Sequence, residues 1–124
     1  MMNRRTRFLR AMVVLLLCCG ALVGARAQNG GTWQTLAPMP SFRQELASAV
    51  LDGKVYVMGG LSWENVALKT VEEFDPKTNA WRPMADMPTA RFILTAESTA
   101  GQVFAIGGAA TDFTTQSAVE ALRP

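Results

Sequence analysis

Two arginines in equivalent surroundings are the first candidates for chemistry. Arg43 and Arg91 lie 48 residues apart, and each precedes a stretch of small and apolar residues. A guanidinium group offers a planar set of donors that suits carboxylates, so both side chains are suited to bind acidic groups of a ligand. The alternative is a structural ion pair formed once in each repeat, with Glu72 and Glu120 as the partners. The sequence leaves both interpretations open.

Trp63 is a third candidate because of its place in a predicted loop. It follows the pair Gly59-Gly60, and the equivalent position in the second repeat holds Thr111, with Phe113 two positions further on. Loops carry function more often than strands do. An aromatic residue there either stacks on a sugar or anchors a peptide, or it packs on its own loop.

Several kinds of chemistry are excluded by composition. After residue 27 the chain has no histidine and no cysteine, and its only tyrosine is Tyr56. Zinc sites normally need Cys or His ligands, and a serine activated by histidine is impossible without the histidine. Four carboxylates could in principle act as acids, but their spacing forms no recognisable pair, and we predict that they are surface or structural residues: Glu72, Glu73, Glu97 and Asp112. We therefore predict no catalytic residue, metal or cofactor.

The candidate residues belong to a unit that the chain uses twice. The segment DGKVYVMGG at 52–60 returns as AGQVFAIGG at 100–108. A period of about 50 residues, with matches along most of its length, is typical of propeller-type repeats. Matches at the same offset are Trp33 with Trp81, Met39 with Met87, Pro40 with Pro88, and Val71-Glu72 with Val119-Glu120.

The first unit is predicted to contain four short strands, at about 46–51, 54–58, 70–74 and 80–82, and the second unit to repeat the first three of them. Asp52-Gly53 suits a tight two-residue turn, whereas Ala100-Gly101 fits that turn less well and predicts a longer hairpin. The second strand is apolar on both faces, so a sheet is expected on each side of it.

The segment 1–27 is predicted to be a cleaved secretory signal. A leader with four arginines precedes an apolar run at 11–23 and the small residues Ala25 and Ala27. The run is shorter than the roughly 20 residues that span a bilayer. Five of the twelve basic residues lie in this segment, so seven basic and ten acidic residues remain. Without a basic patch, nucleic acid is not expected as a partner, and no membrane contact is expected after cleavage.

These patterns resemble kelch repeats, the four-stranded blades of a β-propeller. The resemblance extends over 33–120 and is carried by the glycine pairs at 59–60 and 107–108, the aromatics Tyr56 and Phe104, and Trp81 after FDPKTN. It implies an all-β fold of kelch-type four-stranded propeller blades, two blades only, after a cleaved signal peptide. Residues 28–32 are then a flexible lead-in, 41–88 the first repeat, and 89–124 the second repeat without its fourth strand.

The number of blades leaves two alternatives. Propellers have about 4 to 8 blades, and repeat folds need at least about three units for stability. The chain is therefore either part of a larger propeller or a subunit of a homo-oligomeric ring. A strand at 33–37, within the segment 33–40, is a copy of the fourth strand and is a candidate for closing the last sheet.

The resemblance also implies a function. It places Arg43, Arg91 and the loop of Trp63 at one mouth of the propeller channel, where arginines in the family meet acidic groups of ligands. We predict a secreted or periplasmic binding module, without catalysis of its own, that recognises a protein or a carbohydrate through these three residues. The alternative is a fragment of a carbohydrate-active kelch enzyme, such as a sialic acid mutarotase.

Overall fold

Seven β-strands form two antiparallel sheets in the computed structural model, which describes residues 30–124. The first sheet has the order β1-β2-β3-β4 and the second sheet the order β5-β6-β7. Their bounds are β1 Ala47–Leu51, β2 Lys54–Met58, β3 Val71–Asp75, β4 Ala80–Pro83, β5 Thr95–Thr99, β6 Gln102–Ile106 and β7 Val119–Leu122. The all-β prediction is confirmed. The predicted signal peptide, 1–27, lies outside the described residues.

The two sheets repeat each other in detail. Each strand of the second sheet begins at the position that the sequence repeat makes equivalent to the start of its counterpart in the first. The turns also agree: Asp52 and Gly53 have φ angles of 51° and 76°, and Ala100 and Gly101 have 49° and 73°. The expectation of a longer second hairpin was wrong. Glycine at the second turn position and the same strand register are enough to hold an alanine in the left-handed region at the first.

The core lies between the two sheets. The first strand of each sheet, β1 and β5, run beside each other, and apolar side chains from both sheets meet there. The buried members are Ala47, Tyr56, Met58, Val71, Met87, Leu94, Val103 and Ala105. On the opposite face of the first sheet, Trp81 packs on Phe74 with ring centroids 5.0 Å apart. A stacked sheet therefore covers one face of β2 in this chain, and single side chains cover the other.

The strand expected at 33–37 is not formed. The N–H of Ala37 donates to Oδ1 of Asn79 at 2.8 Å, and its carbonyl accepts a hydrogen bond from Nε1 of Trp81 at 3.0 Å. A strand needs a ladder of backbone partners, and both partners of Ala37 are side chains. Whether residues 33–40 close a sheet stays a prediction.

Candidate functional site

Arg43 is held inside its own repeat. Its Nη1 donates to the carbonyl oxygens of Gly59 at 3.2 Å and Thr70 at 3.0 Å, and its Nη2 lies 3.1 Å from Oε2 of Glu72. The hydroxyl of Ser41 donates to the other carboxylate oxygen of Glu72 at 2.7 Å. Burial lowers the pKa of Arg43, and the charge of Glu72 opposes this shift. The arginine thus ties the segment before β1 to the ends of β2 and β3.

Arg91 makes the equivalent contacts in the second repeat. Its Nη1 donates to the carbonyl oxygens of Gly107 at 3.1 Å and Ala118 at 2.7 Å. Its Nη2 reaches Oε2 of Glu120 at 2.7 Å, and Thr89 binds the other oxygen of that carboxylate at 2.6 Å. Both arginine side chains have no exposed surface. The ion pairs expected in the structural interpretation are therefore formed.

This geometry favours a structural role for both arginines. Five of the partners are backbone carbonyls, of Gly59 and Thr70 for Arg43 and of Gly107, Ala118 and Ala105 for Arg91, so each guanidinium is fixed to the backbone of its own repeat. The resemblance to kelch repeats predicts that the two arginines lie at a channel mouth. In this structure both side chains are buried, so none of their N–H donors is exposed to a ligand. Ligand binding by Arg43 or Arg91 stays a prediction.

A second buried carboxylate belongs to the first sheet alone. Glu73 accepts hydrogen bonds from the hydroxyl of Tyr56 at 2.6 Å, from Nζ of Lys54 at 2.9 Å, and from Arg82 at 2.6 and 2.8 Å. The bonds from Arg82 are the main cause that lowers the pKa of Glu73 to about 2. The counterpart of Glu73 in the second repeat is Ala121. The cluster is a saturated structural network and not a paired-acid site.

The exposed apolar residues gather where the loops are. We call this region the loop end: the segment 41–46 and the loops 59–70, 84–94 and 107–118, which lie at one end because the strands are antiparallel. Trp63 has 76% of its surface exposed, so it does not pack on its own loop. The other large exposed apolar side chains at the loop end are Phe42, Val66, Ile93 and Phe113.

Two neighbouring loops of the loop end are joined directly. The N–H of Ala67 donates to Oγ1 of Thr111 at 2.9 Å. Beneath them Phe92 is buried with Leu61 and Ala67, and it meets Phe113 edge to face at 5.5 Å. The loops that carry Trp63 and Phe113 therefore meet over one small core, and Phe113 contacts it through Phe92.

Phe113 is a residue that the sequence reasoning did not select. It is 75% exposed and has a φ of 64°, as its counterpart Asn65 does at 59°. Asparagine tolerates the left-handed region, whereas a bulky residue there is an outlier. Ile93, also exposed, has a φ of 51°. Strained backbone of this kind is often found at functional sites. In the sequence, Phe113 aligns with Asn65 at the offset of 48. An aromatic residue at a position where the other repeat has asparagine would have marked Phe113 as a candidate.

Residues 30–124 contain neither a cluster of metal-binding side chains nor a membrane-spanning helix. Over that range, no three His, Cys, Asp or Glu side chains are grouped so that they could hold a metal ion. The same residues include no helix with the length and apolar character needed to cross a membrane.

The comparisons with known proteins agree with this architecture. The model of the Kelch motif family matches residues 43–88. Kelch-like protein 36 of Bos taurus is 39% identical over 54 residues, which is 43% of this chain and 9% of the relative. Kelch-like protein 23 of Homo sapiens is 35% identical over 48 residues, 38% of this chain and 9% of the relative. The matched part of the chain thus spans about a tenth of the length of these relatives. The kelch motif at 43–88 coincides with the four-stranded sheet, and the first three strands of that sheet recur as β5 to β7, so the described part of the chain is similar to kelch repeats.

Proposed function

We propose that this chain is a secreted or periplasmic interaction module whose loop end binds a protein partner. The observation that carries the proposal is the exposure of Trp63 and Phe113 on two loops that are joined to each other. Exposed aromatic residues on a rigid support are typical anchors of protein interfaces, since they bury much surface at little cost in side-chain entropy. Export is supported by the pattern of residues 1–27.

The charges at the loop end favour a particular kind of partner. Glu45, Glu64 and Asp112 are exposed there, while Lys69 is paired with Asp86 at 3.5 Å. Hydrogen bonds from Thr114 lower the pKa of Asp112, so this carboxylate stays charged at neutral pH. Apolar side chains bordered by carboxylates complement a segment that has both apolar and basic residues.

A peptide-display selection against the purified chain tests the proposal. We expect enrichment of peptides that combine apolar residues with Lys or Arg, and we expect Trp63→Ala to weaken their binding tenfold or more. Val50→Ala is the matched control, because Val50 is an exposed apolar residue on β1, outside the loop end. Failure to enrich any peptide, or equal losses in both variants, would contradict the proposal.

The same sample distinguishes a carbohydrate ligand, which an exposed indole such as Trp63 also suits. A glycan array read with the wild-type chain and Trp63→Ala gives that answer. If glycans bind the wild-type chain but not Trp63→Ala, and no peptide is enriched, the ligand is a carbohydrate and not a protein.

A further inference from the structure

Glu45 and Ile93 occupy the same position in the two repeats, shortly before the first strand of each sheet. Their φ angles are 54° and 51°, and both residues are exposed. The second repeat lies directly beside Glu45, since the N–H of Ile93 donates to the carbonyl oxygen of Glu45 at 3.1 Å. Glu45 is exposed even with this neighbour, so exposure and left-handed backbone are properties of this position in the repeat.

Isoleucine is a costly residue for this position. A β-branched side chain in the left-handed region is a genuine outlier, and 63% of the surface of Ile93 is exposed to solvent. An asparagine, as at the left-handed position 65, would relieve the backbone strain. Neither backbone geometry nor burial accounts for the isoleucine. A strained residue that brings no structural benefit points to a function.

Glu45 supplies a carboxylate next to this apolar side chain. The two residues are joined through their backbones, and the ion pairs formed within residues 30–124 do not include Glu45. Lys69, a cation of the loop end, is paired with Asp86 instead. An exposed apolar side chain and an exposed carboxylate therefore start from adjacent points of the loop end.

Lysine and arginine side chains match this combination. Each has an apolar stem and a charged head, so the stem can pack on Ile93 while the head pairs with the carboxylate of Glu45. A purely apolar side chain would gain nothing from the carboxylate, and an acidic side chain would be repelled by it. Pairing of exposed charges is weak by itself, and the contact of the stem with Ile93 adds burial of apolar surface.

We propose that Ile93 and Glu45 together bind one lysine or arginine side chain of the protein partner and so specify a basic residue in its sequence. The inference rests on the proposed function, because it assigns one residue of the partner to one position of the loop end. Trp63 and Phe113 keep their role as anchors for the apolar residues of the partner.

Parallel peptide-display selections test this assignment. One random library is selected against the wild-type chain, Glu45→Gln and Glu97→Gln. Glu97 provides the matched control, because it is an exposed carboxylate on β5, outside the loop end. We expect the wild type and Glu97→Gln to enrich the same basic residue. Glu45→Gln should lose that enrichment and still enrich apolar residues.

The affinities of one peptide selected by the wild type give the magnitudes. Glu45→Gln should weaken its binding about two- to fivefold, and this loss should disappear when the basic residue of the peptide is replaced by norleucine. Ile93→Asn should weaken binding about threefold or more, because the apolar contact with the stem is lost. Thermal stability should not fall in Ile93→Asn, since asparagine suits the left-handed backbone. A loss of affinity in this variant therefore reports binding and not unfolding.

The possible failures are distinguishable. Equal enrichment of basic residues by the wild type and Glu45→Gln, or unchanged affinity in Ile93→Asn, would overturn the inference. If the peptides still require Trp63, the proposed function stands in both cases. A loss in Glu45→Gln that persists with the norleucine peptide would also overturn the inference, because Glu45 would then not act by pairing with the basic residue. If the wild type enriches no peptide, the proposed function and the inference fail together.

Discussion

The carbonyl oxygen of Arg91 occupies the space that a side chain at Gly59 would need. A Cβ built on Gly59 would lie 2.5 Å from this oxygen and 2.9 Å from Cδ2 of Leu94. The neighbouring N–H of Gly60 donates to the same carbonyl at 3.0 Å. The glycine pair of the first repeat is therefore a contact between the loops of the two repeats as well as a feature of its own loop.

Gly107 gives a matched test of this relationship. Its φ is 65°, close to the 62° of Gly59, but the nearest atom to a Cβ there is the carbonyl oxygen of Gln116 at 3.6 Å. Alanine should cost about 1–2 kcal/mol at either position because of the left-handed backbone. Gly59→Ala should cost at least about 2 kcal/mol more, because the sheets must separate. Urea unfolding measures both variants, and equal losses would show that the contact is unimportant.

Tyr56 should titrate at unusually high pH. Burial, followed by the hydrogen bond and charge of Glu73, raises the pKa of Tyr56 to about 12 from 10.0. It is the only tyrosine in the chain, so the ultraviolet absorbance of tyrosinate reports this group alone. Because the folded pKa is raised, the stability that Tyr56 contributes is present below pH 10 and is lost as pH rises towards about 12. Glu73→Gln should lower the midpoint, and a midpoint near 10 in the folded wild type would contradict the contact.

Acid should weaken the first sheet through Glu73. The pKa of this carboxyl is lowered to about 2 from 4.5, first by the hydrogen bonds from Arg82. A lowered folded pKa means that the contribution is complete above pH 4.5 and is lost as pH falls towards about 2. Urea unfolding of the wild type and of Glu73→Gln should therefore show a difference in stability that shrinks over this range. A constant difference would mean that Glu73 is not ionised in the fold.

Substituting the buried arginines separates structure from binding. Arg43→Lys keeps the charge but cannot reach two carbonyls and Glu72 together, so we expect a loss of about 1–3 kcal/mol. Arg91→Lys should behave alike because its contacts are equivalent. Because the buried arginines do not lie on the proposed binding surface, the affinity of both variants for a peptide selected at the loop end should stay within about twofold of the wild-type affinity. A large loss of affinity in a variant of normal stability would establish the arginines as ligand-binding residues.

Phe113→Asn should relieve backbone strain and weaken peptide binding. Asparagine is suited to the left-handed backbone that Phe113 adopts, but the edge contact with Phe92 is lost, a loss of about 0.5–1.5 kcal/mol. The two effects should leave thermal stability within about 1 kcal/mol of the wild type. Peptide affinity should nevertheless fall, since an exposed aromatic anchor is removed. Unchanged affinity would exclude Phe113 from the binding surface.

Local features of the sequence were sufficient for the strands and the repeat. Apolar stretches, glycine pairs and turn residues recur at one constant spacing, and the strands of both sheets follow that spacing. Such features predict structure well because turns and strand ends depend on backbone angles of a few neighbouring residues. Two predictions failed. The strand expected at 33–37 is not formed, and Ala100-Gly101 forms the same turn as Asp52-Gly53 because the flanking strands impose the register.

The state of the candidate site depended on contacts between distant residues. The sequence alone determined that Arg43 and Arg91 are equivalent and named Glu72 and Glu120 as their alternative partners. Only the tertiary structure decided that both guanidinium groups are buried in those pairs, and that Trp63 and Phe113 lie on joined loops. Each arginine is buried by contacts with residues 14 to 29 positions away in its own repeat, and the adjacency of the loops comes from the stacking of one sheet on another. Stacking depends on residues far apart in the chain, which a local pattern of residue types does not specify.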